Sequence, residues 1–107
     1  MTTDTQIESE IIAKGLTAPR VTPAAIDANI EHIEIVKHIA PSGQVLRWAV
    51  LTLRNGYAAT GNPSCSVSPA NDNQEKGEKV AFDNAKQTLW PLMGYALKQQ
   101  LHDAAAL

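Results

Sequence analysis

Gln44-Val-Leu-Arg-Trp-Ala-Val-Leu-Thr-Leu-Arg-Asn-Gly-Tyr57 is the stretch whose reading decides the fold. Its β-branched, aromatic and leucine-rich run favours a strand, and Asn55-Gly56 is a strong hairpin signal because both residues tolerate positive φ. Upstream, Ala40-Pro41-Ser42-Gly43 reads as a second turn. Before it the chain is ambiguous. Ile26, Ile30 and Ile33 keep a helical period, while Ile33, Ile35 and Ile39 alternate like a strand. On a helix continued to His38, Ile35 would point away from Ile26, so a strand from about His32 is the better reading. The result is a three-stranded antiparallel meander. A two-residue turn at Asn55-Gly56 sets Arg54 opposite Tyr57, and a turn centred on Pro41-Ser42 sets Trp48 opposite Ile35 and Val50 opposite Ile33. The expected core face is Ile33, Ile35, Leu46, Trp48, Val50, Tyr57 and Ala59. The other face mixes Glu34, His38, Arg47 and Thr60 with Val36, Leu51 and Leu53, more apolar than a solvated face requires. A partner or second subunit is expected to cover it.

Helices flank this meander. Thr5 and Glu8 have capping-box spacing, Ile7 and Ile11 lie one turn apart, and Gly15 with Leu16 offers a Schellman stop. Leu16 to Arg20 reads as a connector. Thr22-Pro23 then starts a second short helix with Ile26 and Ile30 on its buried stripe. After Gly61, residues 62–73 are rich in turn formers and read as a long surface loop. From about Glu75, Val80, Ala81, Ala85, Leu89 and Leu92 make the apolar stripe of a helix. Pro91 predicts a kink or a split, with a second helix over about Leu92 to Leu101 and a frayed tail over 102–107. Trp90 is the expected core anchor at that kink.

The fold class is therefore α+β: two short N-terminal helices, a three-stranded meander, and a kinked or split C-terminal helix packed on one sheet face. A chain of 107 residues suits a single domain, with residues 1–20 as helix and connector and 21–101 as the core. Nine basic against eleven acidic side chains give a net charge of -2, which argues against a general DNA coat or a polybasic membrane binder. No stretch approaches the roughly 20 apolar residues of a membrane span, and the N-terminus lacks the order of a secretory signal. The expectation is a cytoplasmic protein. A single cysteine, Cys65, cannot close an intrachain disulfide.

Leu51-Thr-Leu-Arg-Asn-Gly-Tyr57, Gly61, Ser68-Pro69, Gly77-x-x-Val-Ala-x-x-Asn-Ala85 and Leu89-Trp-Pro-Leu-Met-Gly-Tyr-Ala-Leu97 follow one another in an order that resembles a family of small tailed-phage proteins. This is the gene-product-forty-nine/gene-product-sixty-six family of phage early or accessory proteins, and the match runs from about Val21 to Leu101. The resemblance implies a phage or prophage origin and a role inside the host cell, and brings no established activity. The chain departs from the family pattern at two positions. Asp72 stands where phenylalanine is usual and Lys76 where an apolar residue is usual, which implies a loop less firmly anchored.

Candidate chemistry is sparse. Cys65 would be a nucleophile only with a base beside it, and an ordinary semi-buried cysteine is expected. His32 and His38, six residues apart on the outward face, with Cys65 as sole sulfur donor, fall short of a zinc site, so no metal and no cofactor are expected. Asp27, Glu31 and Glu34 read as a solvated acidic stripe. No glycine-rich phosphate loop follows a strand, since Gly56 and Gly61 belong to a hairpin and Gly77 precedes a helix without companions. Arg20, Arg47 and Arg54 with Tyr57 offer an anion or nucleic-acid surface, although Arg54 and Tyr57 are equally explained as a cross-strand cation–π pair. The reading is a protein without catalytic residues that binds a host macromolecule, a host protein first, as a small oligomer such as a homodimer. The binding residues are Arg20, Arg47, Leu51, Leu53, Arg54 and Tyr57. A small-ligand, nucleotide or nucleic-acid binder using the arginines and Tyr57 is the alternative.

Overall fold

The computed structural model describes residues 4–13 and 18–106. In chain order the elements are α1 (Asp4–Ala13), α2 (Pro23–Asn29), β1 (Ile30–Ile39), β2 (Val45–Leu53), β3 (Ala58–Thr60), β4 (Ser64–Ser66), a 3-10 turn (Pro69–Asn71), α3 (Gln74–Gln87) and α4 (Leu89–Ala105). They fall into two compact units, Met1–Ala28 with Trp90–Leu107, and Asn29–Leu89.

In the second unit all strands are antiparallel and β2 is central. It pairs with β1 along one edge, and β3 and β4 share the other edge end to end. The sheet thus has four strands where three were expected, because β4 and the 3-10 turn lie inside the stretch that composition marks as loop. Val50 faces Thr60 and Arg47 faces Ser64, so Trp48 and Ala49 are opposed by the three residues 61–63. Pro63, which has no N–H to give a ladder, falls in that interruption.

Both hairpins correct the expected register. Ala40 N–H donates to Gln44 O at 2.8 Å and Leu53 N–H to Tyr57 O at 2.8 Å, so each loop holds three residues instead of two. The third is a glycine with positive φ, 90° at Gly43 and 89° at Gly56, and among the described residues no other residue type has positive φ. Asn55 therefore does not enter the primed turn that its sequence signal suggests. These are the three-residue loops that end in a left-handed glycine. One added residue in each loop shifts the pairing by one. Ile35 faces Ala49 and Ile33 faces Leu51, and Leu53 rather than Arg54 faces Tyr57.

A one-residue slip exchanges the faces of β2. Val45, Arg47, Ala49, Leu51 and Leu53 are buried, while Leu46, Trp48 and Val50 stay half-exposed on the opposite face with Val36. Ile33, Ile35 and Ala59 lie on the face of Leu51, which was expected on the opposite side from them, and Ile33, expected in the core, is 49% exposed because it sits on the edge strand. Arg47, Leu51 and Leu53, expected outside, are inside; Tyr57, expected in the core, is 53% exposed.

α3 packs against β2 with Ala81 and Ala85 fully buried, and these small side chains let the helix approach closely. Asn73 caps α3 by accepting from the Lys76 N–H at 3.0 Å, and Gly77 lies within the helix rather than before it. Asn84 donates to Asn62 O at 3.0 Å, tying the interruption between β3 and β4 to α3. The helix breaks at Thr88, three residues before Pro91. Pro91 has no N–H, so a single helix running through it would lack the bond to Gln87 O, and the chain instead ends α3 at Gln87 and carries Pro91 in the first turn of α4, where that N–H is not needed.

In the other unit, α1 starts at Asp4, so Thr5 is inside the helix and is not its N-cap. The stop at Gly15 and Leu16 lies outside the described residues. Glu8 accepts from Arg20 in an ion pair, and Trp90 donates its indole N–H to Asp4 Oδ2 at 3.2 Å. Thr22 caps α2 through the Ala25 N–H at 3.0 Å, and Ile26 is fully buried. α4 continues to Ala105 without the fraying expected from His102.

Candidate functional site

A cleft of about 340 Å³ opens in the sheet unit between β4, the end of β2 and the first turns of α3. Val45 and Val80 line it with Arg47, Ser64, Ser66, Asn73 and Lys76. At its base is an ion pair. Arg47 Nη1 meets Asp72 Oδ1 at 2.7 Å and Nη2 meets Oδ2 at 2.9 Å, the two-pronged geometry that matches guanidinium to carboxylate. β2 points Arg47 inward, where it is 3% exposed, and Asp72 leaves the 3-10 turn with its N–H on Pro69 O at 3.1 Å. Ser66 Oγ donates to Asp72 Oδ1 at 3.2 Å. Ser64 Oγ donates to Gly77 O at 2.7 Å. A Cβ on Gly77 would sit 2.7 Å from Arg47 Nη1, so glycine is what lets the helix lie over the guanidinium.

The hydrogen bonds from Arg47, and then its charge, hold the Asp72 carboxyl below the usual carboxylate range against the opposing effect of desolvation. Arg47 is raised in turn by its hydrogen bond to Asp72. A carboxylate so stabilised is a weak base, and the serine hydroxyls are directed at Asp72 and at backbone carbonyls. Arg47, Asp72, Ser64 and Ser66 direct their hydrogen bonds at one another and at Gly77 O. The arrangement fastens β4 and the 3-10 turn to β2 and α3. Among the described residues no cluster of three or more histidine, cysteine or acidic side chains is placed to hold a metal.

The residues singled out in the sequence are dispersed. Arg47, Leu51 and Leu53 are buried, Arg20 is in the other unit paired with Glu8, and Arg54 and Tyr57 are both exposed at the tip of the β2–β3 hairpin, where Tyr57 O accepts from the Leu53 N–H. No ring contact joins those two among the described residues; the cation–π contact found is Lys86 Nζ, 5.9 Å from the Phe82 centroid. Cys65, expected semi-buried, is exposed on β4. His32 and His38 are exposed on the face opposite α3. Asp27 is on α2, whereas Glu31 and Glu34 are on β1, so no helical acidic stripe forms. Asp72, Ser64, Ser66 and Gly77 were missed. A signal existed for Asp72, which is the sole charged residue in 61–73, while Arg47 interrupts an alternation of apolar inward positions.

The profile of the phage protein (N4 Gp49/phage Sf6 gene 66) family matches residues 21–101. The chain belongs to that phage family. The matched span holds the whole sheet, the Arg47–Asp72 pair and α3. The family pattern implied a loop weakly anchored at Asp72; instead Asp72 is the anchor, because an ionised side chain has the buried Arg47 to meet. No curated protein and no solved structure matches the chain. No helix among the described residues is long and apolar enough to cross a membrane.

Proposed function

We propose that this member of the phage family is an accessory protein that acts in the host cytoplasm by binding a host protein, occupying a site rather than performing chemistry. The observation that supports this reading is the tip of the β2–β3 hairpin. Tyr57 is 53% exposed there, yet its backbone is held on both sides, by Leu53 N–H to its carbonyl at 2.8 Å and by its own N–H to Asn55 Oδ1 at 2.9 Å. Leu51 and Leu53, buried in the strand below, give the tip a rigid base. An exposed aromatic ring on a fixed backbone beside an arginine is the composition of protein-interface hot spots.

The nucleotide or nucleic-acid alternative loses support, because two of its three arginines are engaged: Arg47 with Asp72 and Arg20 with Glu8. The test is native mass spectrometry of the tagged protein purified from host cells, beside the variants Tyr57→Ala and Arg54→Glu. A host protein retained at fixed stoichiometry and lost from both folded variants is the expected result. A nucleotide-sized mass, or a host protein retained equally by both variants, would overturn the assignment of this tip.

A further inference from the structure

We infer that the open edge of β1 is a self-complementary interface that joins two copies of this chain into one continuous sheet, with a twofold axis at Val36. This rests on the edge strand and is independent of the hairpin-tip reading. Among the described residues β1 pairs only with β2, and it is ten residues long, with Ile33 49% and Ile39 59% exposed. A long edge strand carrying exposed isoleucines is a template for another strand.

Hydrogen-bond parity limits how a second copy joins. Ala40 N–H bonds Gln44 O, so along the ladder the even-numbered residues of β1 exchange bonds with β2. The amides and carbonyls of Ile33, Ile35, Lys37 and Ile39 therefore face the open edge. An antiparallel twofold that continues both sheet faces must pair odd residues with odd ones. Its axis then passes through a single residue.

Charge selects that residue. An axis at Glu34 sets two glutamates face to face, and an axis at Lys37 sets two lysines face to face. An axis at Ile35 places Ile33 against the partner's Lys37 and Glu31 against the partner's Ile39. The axis at Val36 also sets the half-buried Ile35 opposite the partner's Lys37, but it alone sets the exposed Ile33 opposite the partner's exposed Ile39, twice by symmetry, and Glu34 opposite the partner's His38 on the other face. It buries the two exposed isoleucines against each other and places an acid beside an imidazole.

Sedimentation velocity of the full chain over a concentration series tests this, with Ile33→Lys, Ile39→Glu and the double variant. The wild type should be a dimer. Each single variant should raise the dimer Kd by about tenfold or more, and the double variant, which sets the introduced lysine opposite the introduced glutamate, should restore it. Far-UV circular dichroism checks the fold; if a single variant fails that check, Glu34→Lys, which sets a cation against the partner's His38, replaces it with the same expected loss. A monomeric wild type, dimerisation indifferent to the single changes, or no rescue in the double variant would overturn the inference.

Discussion

Arg47 and Asp72, 25 residues apart in sequence, share two parallel hydrogen bonds of 2.7 and 2.9 Å and so fasten the loop before α3 to the central strand. Arg47 is almost fully buried, and removing Asp72 leaves the cation without its hydrogen-bonded counter-charge, with only the more distant Glu78 carboxylate acting on it. In a double-mutant cycle, Arg47→Met and Asp72→Ala should each lower the urea midpoint, and the double variant should fall short of their sum. Additive losses would show that the two side chains contribute independently.

Acid should reveal the same pair. The carboxyl of Asp72 is held below its ordinary range by Arg47, so its contribution is complete above the unfolded value of about 3.9 and disappears as pH falls through the lower folded value. The stability gap between wild type and Asp72→Asn should be constant from pH 7 to about 5 and close below about 4. A gap that widens on acidification would contradict the sign.

Gly43 and Gly56 share a φ near +90° but differ in surroundings. A Cβ at Gly43 would lie 3.2 Å from Pro69 Cγ, whereas none of the structure lies within 4 Å of one at Gly56. Alanine at either site should cost about 1–2 kcal/mol from the left-handed backbone, with Gly43→Ala the more damaging. Thermal unfolding of the two variants side by side checks the order.

The exchanged faces of β2 predict opposite sensitivities for adjacent residues. Leu51→Ala removes a fully buried side chain and should cost about 2–5 kcal/mol. Val50→Ala, on the half-exposed face, should cost about 1 kcal/mol. The reverse order in chemical denaturation would restore the two-residue turns.

Asn73→Ala should cost about 1 kcal/mol through loss of the α3 cap, and Asn73→Asp should retain most of it. Amide exchange localised to Lys76 and Gly77 would separate this effect from a global one.

Much of the fold was legible. Thr22-Pro23 marked the start of α2, the isoleucine alternation marked β1, and the apolar stripe marked α3, because caps, proline and periodicity act within a few residues of themselves. Asn55-Gly56 announced a turn but not its length, since the number of loop residues depends on which glycine adopts positive φ, and that is settled by twist and pairing of the flanking strands. β4 escaped notice because Ser64-Cys65-Ser66 has no apolar pattern of its own.

Sequence alone determined the order of the helices and of β1 to β3, the two turn sites and the family to which the chain belongs. Those depend on residue type and near neighbours. Tertiary structure decided the register of β2 and hence which of its faces is buried, and it turned Arg47 from a surface candidate into the partner of Asp72. The reason is physical: a strand repeats every two residues, so its alternation fits two registers, and only packing against α3 and the carboxylate that meets the inward arginine distinguish them.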